Sequence, residues 1–245
     1  MIDSLRFLAN LIPVSARRAL VRYTRRPPVG WVRFGDFRRL HPISPQWGSE
    51  RGKPIDRYYI EQFLAAHSAD IRGRVLEIGD DAYTRMFGGS GVIQTDVLHV
   101  AENRSNVTII GDLTDAGHIP SDSFDCIILT QTLQFIYDLR SAIRTLYRIL
   151  QPGGVVLVTI PGISKSSRYD MERWGYYWSF TTMSVRRLFE TAFPTDRVEV
   201  RAHGNVLAAV GFLHGLATRE LKKEELDFED PDYELLITLR AVRPE

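Results

Sequence analysis

The chain has one cysteine in 245 residues, Cys126, set in the apolar run 124–129. A lone thiol cannot close an internal disulfide, and among apolar neighbours it reads as a packing residue. No apolar run approaches the roughly 20 residues that cross a bilayer. The first residues lack the apolar core and small-residue cleavage site of a secretory signal. These absences lead us to expect a cytoplasmic protein. Charge of one sign is scarce: 31 Lys and Arg stand against 30 Asp and Glu, a net +1. That excludes a globally basic nucleic-acid binder. His41, His67, His99, His118 and His214 show no metal-ligand spacing, so no metal is expected. A phosphate-binding glycine loop is missing too. Gly79-Asp80-Asp81-Ala82-Tyr83-Thr84 fails Gly-x-Gly-x-x-Gly, and two acids beside a pyrophosphate would repel it.

What is present is an ordinary globular composition, 44% apolar and 25% charged, long enough for one α/β domain with a segment to spare. The charge is uneven. Residues 1–40 hold nine arginines against Asp3 and Asp36. Ile2, Leu5, Leu8, Leu11 and Ile12 fall near helical spacing, followed by Arg17, Arg18, Arg22, Arg25 and Arg26. Two readings stand: a helix packed on the domain with its arginines in water, or an interfacial helix on an anionic membrane or partner. Pro27-Pro28-Val29-Gly30 ends this helix. Residues 31–53 show no clean period and read as an irregular cap. The expected division is therefore 1–53, a basic N-terminal extension, and 54–245, a single domain.

Pro54 opens a helix whose apolar face carries Ile60, Phe63 and Leu64. From residue 73 strands and helices alternate. Strands are expected at 75–78, 92–96, 107–110, 124–129 and 155–160. Between the last two, Leu139, Ile143, Leu146, Tyr147 and Leu150 mark an amphipathic helix. Later come a helix from Thr182, a strand at 198–202, a helix at 206–216 and a final strand at 235–242. Alternation of this kind implies right-handed crossovers and a parallel sheet with helices on both faces. Glu220–Asp232 reads as a solvated connection.

In such a sheet, ligands sit past the C-terminal strand ends, where strand order reverses. The first strand ends in Glu77, Gly79, Asp80 and Asp81. The second ends in Asp96, next to Val97 and 19 residues beyond Glu77, a spacing suited to accepting bonds from ribose hydroxyls. The third ends in Gly111-Asp112-Leu113, where a carboxylate can receive an adenine amino group and a leucine can pack on the ring. The fourth ends in Thr130-Gln131, close to an amino-acid moiety.

Together these residues resemble a class I, seven-stranded methyltransferase dependent on S-adenosyl-L-methionine (SAM), of the type-11-like group. Its Leu-x-His-x-x-Asp … Leu-x-Pro-Gly-Gly signature reads here as Leu133-Gln134-Phe135-Ile136-Tyr137-Asp138 and Leu150-Gln151-Pro152-Gly153-Gly154. The resemblance implies a doubly wound, mostly parallel Rossmann-like sheet of order 3-2-1-4-5-7-6 with an antiparallel end. It implies a cofactor site of Glu77, Gly79, Asp80, Asp81, Asp96, Val97, Asp112, Leu113, Thr130 and Gln131. Asp81 and Tyr83 stand where the family has glycines, and Gln134 stands where many relatives have histidine. SAM is a cation without phosphate, so the acids beside Gly79 favour it over NAD.

The acceptor pocket is expected from Tyr58, Tyr59, Arg168, Tyr169, Arg173, Trp174, Tyr177 and Trp178. Aromatics suit a sugar or planar acceptor, and arginines suit an anionic one. The same aromatics could instead form a core cluster. His203 is a weak candidate for a catalytic base. The resulting expectation is methyl transfer to oxygen of a small molecule or glycan, releasing S-adenosyl-L-homocysteine (SAH). The alternatives are a non-catalytic binding module of the same fold and an NAD-dependent Rossmann enzyme.

Overall fold

A computed structural model describes residues 27–101 and 106–245. It forms two units, residues 1–40 and 41–245. Of the first unit, the described part holds one short 3-10 turn, Gly35–Phe37. The helix expected over the first 26 residues lies outside the described residues.

The second unit begins earlier than residue 54. Ser44 N donates to His214 O at 3.0 Å, and Ser44 Oγ accepts from Gln46 N and Gly48 N. A Cβ on Gly48 would stand 2.7 Å from Gly215 O, so only glycine permits this approach. Residues 41–53 therefore belong to the larger unit rather than to the extension.

Seven strands form one sheet in the order β3-β2-β1-β4-β5-β7-β6. They are β1 Gly73–Ile78, β2 Val92–His99, β3 Ile109–Ile110, β4 Phe124–Thr130, β5 Leu150–Pro161, β6 Val198–His203 and β7 Leu236–Val242. β1 to β5 run parallel, and β7 pairs antiparallel with both β5 and β6. The helices are α1 Ile55–Ala66, α2 Ala82–Phe87, α3 Leu139–Ile149, α4 Arg168–Trp174, α5 Thr182–Phe189, α6 Val206–His214 and α7 Lys223–Asp227. The expected order is found. The acidic stretch before β7 is not wholly irregular, since α7 lies within it.

Period-2 alternation along buried strands feeds two cores. Ile127 and Leu129 of β4 face one core with Ile143, Leu146 and Phe189. Cys126 and Ile128 face the other with Ile60, Leu64 and Phe212. Burial pushes the Cys126 thiol far up, as expected of a packing residue. α3 buries Ala142, Ile143, Leu146 and Ile149 and is capped by Asp138, which accepts from Ser141 N. That cap satisfies an otherwise orphan N–H and fixes the chain between β4 and α3 at the C-terminal edge of the sheet. Among the described residues no helix is long and apolar enough to cross a membrane.

Candidate active site

The turn after β1 is built around Glu77. Its buried carboxylate accepts from Tyr83 N at 3.1 Å, Thr84 N at 2.8 Å and Thr84 Oγ1 at 2.7 Å. Burial pushes its pKa up to about 7, against the opposing pull of these bonds. Glu77 thus ties the first turn of α2 to the strand and does not line a cavity. Gly79 follows with φ of +97° and open space where a Cβ would stand.

Asp80 accepts from Ala82 N. Asp81 faces away from the cavity, taking bonds from Arg85 Nη1 at 2.8 Å and Asn106 Nδ2 at 3.1 Å. Tyr83, the second departure from the glycine pattern, also points away. Its hydroxyl accepts from Arg57 Nη1 at 2.9 Å, and its ring stacks with Phe87. Neither departure crowds the space over Gly79.

Two cavities open above the strand ends. The first, of about 600 Å³, is lined by Gly79, His99, Asp112, Leu113, Gln131, Phe135, Ile136, Asp170, Arg173, Trp174 and Tyr177, among others. The second, of about 630 Å³, is lined by Trp47, Asp56, Arg57, Gln134, Lys165, Tyr176 and others. Gln131, Phe135 and Asp170 line both, so the cavities meet beside the end of β4. Gln131 holds this corner with φ of +49°, and its N–H donates to Thr159 O at 2.8 Å.

Asp96 does not reach either cavity. β2 continues to His99, and Asp96 pairs opposite Leu76, inside the sheet. Its carboxylate accepts from Arg74 Nε at 2.7 Å, Gln94 Nε2 at 3.0 Å and Thr108 Oγ1 at 3.0 Å. It is a buried tie between strands. Val97 is likewise interior. The register sets Ile78 opposite Leu98, and Gly79 N donates to Leu98 O at 3.0 Å. The strand end beside the glycine turn therefore carries His99.

Asp112 and Leu113 stand where expected, with Asp112 Oδ1 accepting from Thr114 N and Thr114 Oγ1. Thr130 is the last residue of β4 and gives only its carbonyl, to Thr132 Oγ1. Of the expected acceptor residues, Arg173, Trp174 and Tyr177 line the first cavity. Tyr58 and Tyr59 line neither: Tyr59 is core and donates to Leu226 O, and Tyr58 donates to Asp227. Arg168 reaches Met171, Tyr169 lies under Arg173, and Trp178 donates to Ile136 O at 2.9 Å. His203 is held by Glu229 at 2.7 Å and Thr238 at 3.0 Å and stacks on Tyr59. It lines neither cavity.

Residue-by-residue reading missed the second cavity's polar groups. Gln134 is 4% exposed. Its Nε2 donates to Gln131 O at 2.8 Å, and its Oε1 finds no donor among the described residues. The Gln131 carbonyl can only accept, which fixes the amide's orientation. Asp56 is pushed up by burial. The Lys165 ammonium sits 4.0 Å from the centre of the Trp47 ring and is pushed down by burial. Among the described residues no group of three or more His, Cys, Asp or Glu side chains is placed to hold a metal ion.

The first cavity fits a nucleoside with a cationic amino-acid tail. Its volume lies in the range of small-molecule sites, roughly 300–1,000 Å³. Leu113 and Ile136 offer apolar faces, Asp112 an acceptor, and the Asp170 carboxylate a counter-charge. A side chain at position 79 would project into this space.

Residues 87–158 match the family model described as a methyltransferase domain. The ubiquinone/menaquinone biosynthesis C-methyltransferase of Enterobacter sp. (strain 638) is 32% identical over 88 residues, 31% of this chain and 35% of that protein. The chain thus spans about a third of the curated relatives it matches. A SAM-dependent methyltransferase of Mesorhizobium loti superposes with a TM-score of 0.51 at 20% identity, over 74% of this chain and 95% of that one. An N-methyltransferase of Haemonchus contortus, solved with SAH, superposes with a TM-score of 0.51 at 16% identity, over 77% of this chain and 53% of that one. The chain thus carries a methyltransferase-domain match over residues 87–158 and, with the sheet order 3-2-1-4-5-7-6, the fold of the SAM-dependent methyltransferase that it superposes on.

Proposed function

We propose that the protein is a methyltransferase that binds SAM in the first cavity and a small-molecule acceptor in the second. The observation that carries this reading is the meeting of the two cavities at Gln131, Phe135 and Asp170, beside the end of β4. When bound, SAM supplies an electrophilic methyl group on a sulfonium. The chain's task is then to position a nucleophile on that line and to remove its proton.

Gln134 Oε1, a buried acceptor without a donor among the described residues, binds an N–H or O–H of the acceptor. That pairing relieves the cost of leaving a buried polar atom unsatisfied, about 1–3 kcal/mol. Asp170 stands where both cavities reach it and takes the proton of the attacking group. Phe135 closes the junction with an apolar surface. Trp47, Tyr176 and Phe212 give the second cavity aromatic walls, which suit a planar or sugar-like acceptor.

We read the methylated atom as oxygen, in a cytoplasmic enzyme. A second reading is carbon methylation, favoured by the curated C-methyltransferase relatives. The family-model match runs from 87 to 158. Trp47, Asp56, Arg57, Lys165, Asp170 and Tyr176 lie outside it, whereas Gln131, Gln134 and Phe135 lie within it, so the match covers only part of the second cavity's walls.

The test has two steps. SAM, SAH and NAD are titrated separately by calorimetry; SAM and SAH bind and NAD does not. Methyl-labelled SAM is then incubated with hydroxylated and phenolic acceptors, and the product bond is assigned by mass spectrometry and NMR. No binding of SAM or SAH to folded protein sinks the cofactor assignment. Binding without label transfer to any acceptor favours a non-catalytic module.

A further inference from the structure

The second cavity carries the charged side chains of Asp56, Arg57, Lys165 and Asp170 on its wall. Charges drawn away from water are normally paired. The two half-buried cations here are not. Arg57 has five N–H donors in a fixed fork. Among the described residues its guanidinium makes one hydrogen bond, from Nη1 to the Tyr83 hydroxyl at 2.9 Å. Lys165 lies over the Trp47 ring and donates to Pro45 O. Neither takes part in an ion pair among the described residues.

The two acids are engaged otherwise. Asp56 Oδ1 accepts from Arg57 N at 2.8 Å in the first turn of α1, and burial pushes this carboxyl toward its neutral form. Asp170 stands where the two cavities meet. Asp56 acts on Arg57, and Asp170 on Lys165, only from beyond salt-bridge reach. Granting the acceptor site proposed above, we propose that the acceptor is an anionic small molecule, a carboxylate or a phosphate ester, whose charged oxygens are bound by Arg57 and Lys165. The planar guanidinium matches two oxygens of such a group, and the ammonium adds a point charge. The same cavity offers Gln134 Oε1 to a hydroxyl or N–H, and Trp47 and Tyr176 to a ring. The occupant therefore combines an oxyanion, a donor group and a flat or ring-shaped body. Arg168 and Arg173, the arginines that the sequence offers for an anion, do not line this cavity: one reaches Met171 and the other covers Tyr169.

Matched probes that share a body and differ in charge test this. One set is meta-hydroxybenzamide, meta-hydroxybenzoate and meta-hydroxyphenyl phosphate; the other is glucose, glucuronate and glucose 6-phosphate. Each is titrated by calorimetry into protein saturated with SAH. The protein variants are Arg57→Gln, Arg57→Lys and Lys165→Gln, with thermal unfolding reporting the fold. SAH affinity reports the first cavity, which neither residue lines.

A hydrogen bond to a charged group corresponds to about a 10- to 150-fold change in affinity. At least one acid should bind more tightly than its neutral counterpart by a factor of that order. Arg57→Gln and Lys165→Gln should each remove much of that difference and leave the neutral probe's affinity where it was. Arg57→Lys keeps the charge but loses the fork, and should fall between. The carboxylate and phosphate arms show which oxyanion the cavity prefers.

Two results would overturn the assignment. One is SAH-loaded protein that binds no acid more tightly than its neutral counterpart in either set. The other is a preference for acids that survives undiminished in folded Arg57→Gln and folded Lys165→Gln. Failure of the unaltered protein to bind SAH would instead remove the proposed cofactor site, and the same titrations into unloaded protein would still decide the anion site.

Discussion

Replacing Glu77 with Gln should change how stability depends on pH, and the sign can be worked out. Burial lifts this carboxyl from an ordinary value of 4.5 to about 7. Between those values the folded protein keeps a proton that the unfolded chain has released. Stability therefore falls as pH rises through that window and is level above it. The shift corresponds to about 3 kcal/mol. With a residue this buried, solvent does little to screen it. The Gln variant has nothing to titrate there. It can keep both Thr84 bonds through its amide oxygen, but its NH2 then faces Tyr83 N–H. That donor–donor contact costs about 1–3 kcal/mol at every pH. It displaces the stability curve without tilting it.

Urea unfolding of both proteins at pH 5, 6, 7 and 8 is the assay. The difference between them cancels every other titrating group. It should change by about 2–3 kcal/mol across the series, with the natural protein losing ground as pH rises. A difference that stays constant would mean that Glu77 is ionised throughout. The bonds from Tyr83 and Thr84 would then outweigh burial, and the reasoning would be wrong.

Three further outcomes are expected. Asp96→Asn should cost about 1–3 kcal/mol by weakening charge-assisted bonds to Arg74 and its neighbours, while SAH affinity measured by calorimetry stays within about two-fold; a large loss of affinity in folded protein would return Asp96 to the ligand site. Asp170→Asn should retain SAH binding but lower kcat by about 10²–10⁴ on an acceptor that must lose a proton, and unchanged turnover would remove it as the base. His203→Ala should leave kcat unaltered, since His203 is spent on Glu229, Thr238 and Tyr59, and a drop in kcat at constant stability would contradict that.

The sheet was legible because its signals are local and periodic. Phe124–Leu129 is nearly all apolar, the α3 pattern repeats at helical spacing, and Gly153-Gly154 and Pro161-Gly162 bracket the apolar run 155–160 of β5. Strand order followed from the resemblance and from the change of pattern after residue 160. The wall of the first cavity was legible only in part, and the reason is register. Asp96 looked like a strand end because an acid after Val92–Thr95 reads as a boundary. Yet Val97 and Leu98 continue the apolar run past it. A buried charge can sit mid-strand when it has partners, and Arg74, Gln94 and Thr108 supply them from positions up to 22 residues away. Single-residue reading could not see those partners.

The second cavity was harder for a different reason. Trp47, Asp56, Gln134, Lys165 and Tyr176 come from five separate stretches and share no spacing rule, so only folding brings them together. Gln134 was noticed as the absence of a histidine. Its importance lies instead in a buried oxygen with no donor among the described residues, which is a property of the folded chain alone. Tyr58 and Tyr59 show the converse. They sit on α1, whose next turn helps bury the core, and their hydroxyls are taken by Asp227 and Leu226. Aromatic composition marked both regions equally, and only the partners of each polar atom separate a wall that awaits a ligand from a core that is complete.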